Sequence, residues 1–384
     1  METGLYVHIP FCVRKCIYCD FYSEETLTGP IGQRLRTPLP DRTEFMDALE
    51  QEFRGLPTGF RPQTVFIGGG TPTELSDGDL QRLFDLIARY VDCGAVEEWT
   101  CEVNPGTLTE RKAHLLRAGG VNRISMGVQS FHPQHLEFLG RIHGPADVLR
   151  HYALLRAAGF ENINLDLIYG VPGSTIEQTR QDIEQLLALK PEHASCYCLT
   201  FEENTPLMTM KRQGFVSEMD AELEHEQYQL IRGALKATGY VQYELSNFAR
   251  GDRPCRHNLL YWSGGEYIGC GPSAHSHWQG RRYANVRHLR RYCRALQDRA
   301  SPVDFEETLP PERKARETLV MSLRRLEGIS RAAFRERTGH DYQQLCGEQI
   351  AHFCALGLLE ESGDRLRLTE AGLFVSDGIF AELV

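Results

Sequence analysis

From residue 5 to residue 199 the chain repeats one pattern, a short apolar run followed by a longer amphipathic stretch. Residues 5–9, 64–67, 99–103, 123–127, 163–168 and 194–199 read as strands, and residues 44–53, 77–90, 108–118, 146–158 and 176–189 as helices. Strand and helix in alternation predict a parallel sheet under a helical outer layer, because parallel neighbours need a crossover connection. Six such units are too few for an eight-unit barrel. The expected fold is therefore α/β, a partial, open (β/α)6 barrel whose chemistry gathers where the strands end.

The remaining sequence suggests a second, smaller unit. Residues 24–42 contain Gly29, Pro30, Pro38 and Pro40 without a period and read as a loop. Composition changes near residues 301–311. Beyond it, residues 312–323 and 342–356 look helical and residues 357–369 resemble a hairpin turning near Gly363-Asp364, so a core over 1–305 and a small helical, winged-helix-like domain over 306–384 are expected. The 384 residues, with 24% charged side chains and a formal net charge of -10, suit a globular protein and oppose a general nucleic-acid role. No apolar stretch approaches the ~20 residues that span a bilayer. Residues 1–9 show neither a basic leader nor a cleavage site, so a cytoplasmic protein is expected, with peripheral contact at the inner membrane as a further expectation. Without a secretion signal the 12 cysteines are expected to stay reduced, and closely spaced thiols then read as metal ligands.

Cys12, Cys16 and Cys19 lie on a loop directly after the first strand, in the segment Tyr6-Val-His-Ile-Pro-Phe-Cys-Val-Arg-Lys-Cys-Ile-Tyr-Cys-Asp20. Thiolates are the preferred ligands of iron-sulfur clusters, and this spacing lets one short loop reach three corners of a [4Fe-4S] cube, leaving the fourth iron open to a small molecule. A structural zinc site completed by a distant residue, or thiols with no metal, are the alternatives; zinc sites favour paired Cys-x-x-Cys units, and this loop has one. Gly68-Gly69-Gly70-Thr71-Pro72 follows the second strand, where glycines allow backbone amides to approach a ligand; alone, such a run is a tight turn. Glu102 ends the third strand before Asn104-Pro105, a carboxylate suited to ribose hydroxyls or an ammonium group. Ser125, Gln129, Gly140 and Arg141 follow along the fourth unit, and alternation places Asn164 and Asp166 on one face of the fifth strand, inside the barrel. A satisfied polar network is the other reading of these residues.

The cysteine loop after the first strand resembles the radical S-adenosylmethionine (SAM) superfamily, whose Cys-x-x-x-Cys-x-x-Cys motif opens a partial (β/α)6 barrel. The resemblance implies that SAM chelates the open iron and is cleaved, on reduction of the cluster, to methionine and a 5'-deoxyadenosyl radical. In the coproporphyrinogen III dehydrogenase branch, the positions matching Tyr6, Tyr18, Gly69, Gly70, Thr71, Glu102, Gln129, Arg141 and Asp166 are implied as SAM contacts.

Similarity to that branch extends to Tyr243-Glu-Leu-Ser-Asn-Phe248 and the C-terminal region, with two departures. The dehydrogenases continue as Cys-x-x-Cys-x-Cys where this chain has Phe21, and they carry an N-terminal extension where this chain begins eleven residues before Cys12. Both departures are shared with the HemW-type haem chaperones. His257-Asn258-Leu-Leu-Tyr261-Trp262 resembles that family's haem-associated His-Asn-x-x-Tyr-Trp motif. An imidazole can ligate haem iron and Tyr and Trp offer flat faces to a macrocycle, although a structural histidine and a core aromatic are the simpler reading of the hexapeptide alone. Cys255 and Cys270 flank it as alternative ligands. The resemblance implies a [4Fe-4S] cluster, SAM and haem as cargo, with apo-haemoproteins such as membrane-associated respiratory enzymes as clients, a homodimer as a further expectation, and no nucleic acid. The enzyme reading, decarboxylation of coproporphyrinogen III to protoporphyrinogen IX, is the alternative. The arginines over residues 281–299 read as one solvated helix face, with haem propionates as the other reading. The Gly-rich segment 264–272 is expected to bring backbone near SAM or haem.

Overall fold

The structure, a computed structural model, describes residues 2–26 and 42–384. The six expected strands form as β1 (Thr3–Ile9), β2 (Thr64–Gly69), β3 (Glu98–Val103), β4 (Arg123–Gln129), β5 (Ile163–Tyr169) and β6 (His193–Cys198). They pair in chain order and in parallel. The helices Arg42–Arg54, Asp77–Tyr90, Glu110–Ala118, Pro145–Ala157 and Ile176–Leu189 connect them. Local chemistry fixes their starts. Ser76 accepts from the Asp79 amide, Thr109 from Lys112, and Thr175 exchanges hydrogen bonds with Gln178, each cap stabilising by about 1 kcal/mol.

Alternation along the strands sorts the side chains. Leu5, Val7 and Ile9 of β1, Val65 and Ile67 of β2, Ile124 and Met126 of β4, and Ile163 and Leu165 of β5 are fully buried in the main apolar cluster under the helices. Of the intervening residues, Asn164 contacts Ser125 and His193, Arg123 pairs with Glu98, and Thr64 meets His257. The barrel is open: the sheet has 12 strands, with Val303–Glu307 and Val241–Gln242 at its two edges. Glu266–Cys270 adds a further parallel strand beside β1. This strand escapes strand-helix counting because its place is set by register with Thr3–Val7 rather than by sequence order.

Two readings need correction. Glu24–Glu25 is not loop but a short strand paired with Phe11–Cys12, and Arg42 already belongs to a helix; residues 27–41 of the expected loop lie outside the described residues. The arginines of 281–299 do not share a helix face: Arg281–Asn285 is a strand and the helix begins at Leu289. Arg282 pairs with Glu307 and Glu317, and Arg287 with Asp20, so cross-element ion pairs absorb part of the run.

The C-terminal segment builds the expected winged-helix-like arrangement. Helices Pro311–Leu323, Arg331–Thr338 and Tyr342–Ala355 precede the hairpin Leu359–Ser362 and Arg365–Leu368, turning at Gly363-Asp364, and Ile329–Ser330 completes a three-stranded sheet. Its core of Leu319, Phe334, Ile350 and Leu366 also takes in Tyr228 and Leu245 from the barrel side. Because Leu165 has no exposed surface, Leu165→Ala should lower unfolding free energy by about 2–5 kcal/mol in urea titrations, while Val241→Ala, at an edge and 68% exposed, should change it by less than about 0.5 kcal/mol.

Candidate functional site

The C-terminal ends of the strands form a mouth built around the cysteine loop. Backbone bonds place it: the Gly70 amide donates to the Ile9 carbonyl at 2.8 Å and the Thr71 amide to that of Phe11 at 2.7 Å, locking the glycine turn against the chain that leaves β1. A Cβ on Gly70 would stand 2.6 Å from the Phe11 oxygen, so only glycine lets these segments approach, and Gly69 has a φ of 100°. Thr71 Oγ1 then sits 3.6 Å from Cys12 Sγ. Arg141 bridges to the other side, donating to the Gly127 carbonyl at 2.7 Å and to Cys16 Sγ at 3.5 Å, with Nε buried and unpartnered. Gln129, at a left-handed φ of 69°, folds its amide back over Gly127 beside that guanidinium.

The electrostatics of the mouth fit a cationic or electron-poor guest. Burial pushes the Cys19 thiol up to about 11, and the charge on Cys16 adds to this; burial also raises Cys12. Burial alone would weaken the Arg141 charge, but Cys16 and Tyr18 beside it hold it protonated. Glu102 accepts the Gly69 amide at 3.2 Å and is pushed up to about 8 by burial and by Asp166. Two carboxyls facing one desolvated space, with a single backbone donor on the first, suit an ammonium group or sugar hydroxyls. Asp166 is tied down by Asn164 at 2.7 Å and Ser125 at 3.2 Å, as alternation on β5 requires. Among the described residues no three His, Cys, Asp or Glu side chains converge tightly enough in this conformation to hold a metal ion. The donor set fits a cluster nonetheless: three free thiols on one short loop, with the half-buried Arg141 guanidinium against the middle one to offset their charge.

The second constellation lies at the opposite end. The helix Arg256–Trp262 docks on the N-terminal ends of the strands because Glu98, the first residue of β3, accepts the Arg256 and His257 amides at 2.9 and 3.0 Å. His257 is fully buried, its Nδ1 2.8 Å from Thr64 Oγ1 and its Nε2 2.8 Å from Tyr261 OH. Both ring nitrogens are engaged, and burial with Arg123 nearby lowers its pKa to about 3. Asn258, Tyr261 and Trp262 are half-buried, Cys255 hydrogen-bonds Glu98, and Cys270 is buried in the strand beside β1. Gly265 abuts Leu260 of this helix, and Gly271 abuts the His8 carbonyl.

The structure thus brings Tyr6, Tyr18, Gly69, Gly70, Thr71, Glu102, Gln129, Arg141 and Asp166 to the cysteine mouth, and places His257, Asn258, Tyr261 and Trp262 at the floor, where the Phe66 ring stands between Tyr6 and His257. Sequence reasoning missed two residues. His8 takes the Tyr6 hydroxyl on Nδ1 at 3.0 Å and donates from Nε2 to the Tyr22 carbonyl at 2.8 Å, orienting Tyr6; its position two residues on along β1 was the available signal. Glu98, the anchor of the floor helix, had no local signal, since its partners are 158 and 159 residues away.

Residues 6–186 match the radical SAM superfamily, and residues 309–375 match the HemN C-terminal domain. The heme chaperone HemW of Bacillus subtilis is 34% identical over 380 residues, covering 98% of this chain and 97% of that protein. HemW of Escherichia coli is 37% identical over 383 residues, covering 96% and 94%. The E. coli radical SAM enzyme HemN, a coproporphyrinogen III oxidase, shares the fold, with a TM-score of 0.83 at 22% identity over 100% of this chain and 90% of that one.

Because His257 stays neutral when folded, its burial contributes stability present above its ordinary value of 6.5 and lost as pH falls toward about 3. His257→Gln should flatten the acid limb of stability against pH by up to about 1.4 kcal/mol per pH unit in urea melts between roughly pH 6 and 4. Buried His8 and His193, lowered likewise, leave a residual slope, and an unchanged slope would mean that His257 is already charged in the folded chain.

Proposed function

This chain belongs to the HemW heme-chaperone family of the radical SAM superfamily, and we propose that it binds haem and passes it to haem-requiring client proteins, while the barrel mouth holds a [4Fe-4S] cluster and SAM. Cys12, Cys16 and Cys19 would hold the cluster, and Glu102, Asp166, Gln129, Arg141 and the Gly69–Thr71 turn would bind SAM. When bound, the cluster supplies an electron-transfer centre with one iron open to a ligand. The protein's own part is positional: Arg141 offsets thiolate charge, Glu102 receives an amine or hydroxyl, and His8 holds the Tyr6 ring at the wall of the pocket.

The observation that carries the reading is the separation of mouth and floor. The Phe66 ring stands between Tyr6 of the mouth and His257 of the floor, with centroids 6.3 and 5.3 Å from theirs. A tetrapyrrole held by the floor helix is therefore kept from the SAM pocket, which suits carriage of an intact macrocycle and does not suit its oxidation. Phe21 supports the same reading. It stands 67% exposed beside the cysteine loop, where the dehydrogenase pattern has a further thiol.

Anaerobically reconstituted protein mixed with haem should give a Soret band and transfer the haem to an apo-acceptor, while the same preparation with SAM, reductant and coproporphyrinogen III should form no vinyl product. Vinyl product without haem transfer would reverse the assignment. Replacing Cys12, Cys16 and Cys19 together by Ala should abolish iron and sulfide incorporation while leaving the far-UV circular dichroism unchanged; retained iron would displace these residues as ligands.

A further inference from the structure

Three guanidinium groups from the C-terminal segment converge on the end of the helix Arg256–Trp262. Arg324 lies 4.3 Å over the Trp262 ring, Arg325 donates to Ser263 Oγ at 3.0 Å, and an Arg337 terminal nitrogen would stand 2.8 Å from a Cβ on Gly264. Three consecutive residues thus each meet one arginine. The nearby carboxylates do not balance them. Glu327 is shared between Arg325 and Arg365, and Glu244 stands 4.0 Å from Arg324 with Oε2 unpartnered. Among the described residues no carboxylate forms an ion pair with Arg337; burial and the Arg325 charge lower its pKa, as burial and Arg365 do for Arg325.

Two buried donors in the same place have no acceptor, the Trp262 indole N–H and Arg324 Nε. Positive charge held against positive charge, beside donors with nothing to receive them, is the complement of an anion. The anion's chemistry follows from the surroundings. Guanidinium forks match carboxylates in bidentate geometry, and the half-buried ring of Trp262 adjoins them, so the fitting ligand joins carboxylates to a flat apolar ring system.

We propose that Arg324, Arg325 and Arg337 form a carboxylate subsite that grips the propionate side chains of a tetrapyrrole lying on the floor helix. The proposal rests on the haem-carrier reading above. It assigns the C-terminal segment a direct share in cargo binding, with Trp262 providing the apolar face and the arginines the charge. Opening the contact between the segment and the barrel would then release the carboxylates.

The test compares haem with haem dimethyl ester, which keeps the ring and iron but carries no propionate charge. Soret titrations of the full-length wild-type protein should show haem binding about tenfold or more tighter than the ester, a preference that weakens as salt rises. Arg337→Gln, at a position with no ion pair to lose among the described residues, should remove most of that preference by weakening haem about tenfold and leaving the ester unchanged. Arg325→Gln should act in the same direction, with melting temperature as the control for folding. Equal affinity of the wild type for haem and ester, or an Arg337→Gln protein that still discriminates fully, overturns the subsite while leaving haem carriage standing. A wild type that binds neither overturns both.

Discussion

Side chains on a strand alternate between its two faces, and here that alternation carries both the fold and the site. One set of positions on β1 to β5 is apolar and buried under helices, so it supplies most of the stabilising burial. The other set is left facing a confined interior, and in this chain it is polar. Such residues can be buried only if each finds partners, so the interior is organised as hydrogen-bonded tiers rather than as a second apolar core. Asn164 shows the logic: its amide donates to Ser125 and Asp166, and its carbonyl oxygen receives His193 and Ser195.

The tiers differ in how completely they are satisfied. At the floor, His257 and His193 use both ring nitrogens, and Glu98 takes two backbone donors and a thiol. At the mouth, Glu102 has one backbone donor and a carboxyl neighbour, and Arg141 keeps a buried nitrogen without a partner. Unfinished polar groups cost stability where nothing binds, and Arg123 Nε at the floor is unpartnered as well, so what marks the mouth is an unfinished guanidinium together with two carboxyls in one desolvated space. The same reasoning applies where the C-terminal segment meets the floor helix, where orphan donors and unbalanced arginines gather around Trp262.

Joining these two regions is a short run of aromatic rings. Tyr6, Phe66 and His257 form a run of neighbouring rings, with hydrogen bonds to His8 at one end and Tyr261 at the other. Under the proposed function the mouth serves one ligand and the floor another.

Much of this was legible in the sequence because it rests on local or periodic signals. The six strands and their helices follow from apolar period and caps, the cysteine loop from spacing, the hairpin near Gly363-Asp364 from turn chemistry, and the shared face of Asn164 and Asp166 from alternation. The short pairing of Glu24–Glu25 with Phe11–Cys12, the parallel strand Glu266–Cys270 beside β1, and the division of 281–299 between strand and helix were not legible, because each depends on a partner distant in sequence. The sequence by itself determined the barrel class and singled out the residues proposed to carry cluster and cargo chemistry. Only the tertiary structure decided that those two sets stand at opposite ends, since that depends on Glu98 capturing a helix more than 150 residues downstream, a long-range contact on which no periodicity of the chain bears.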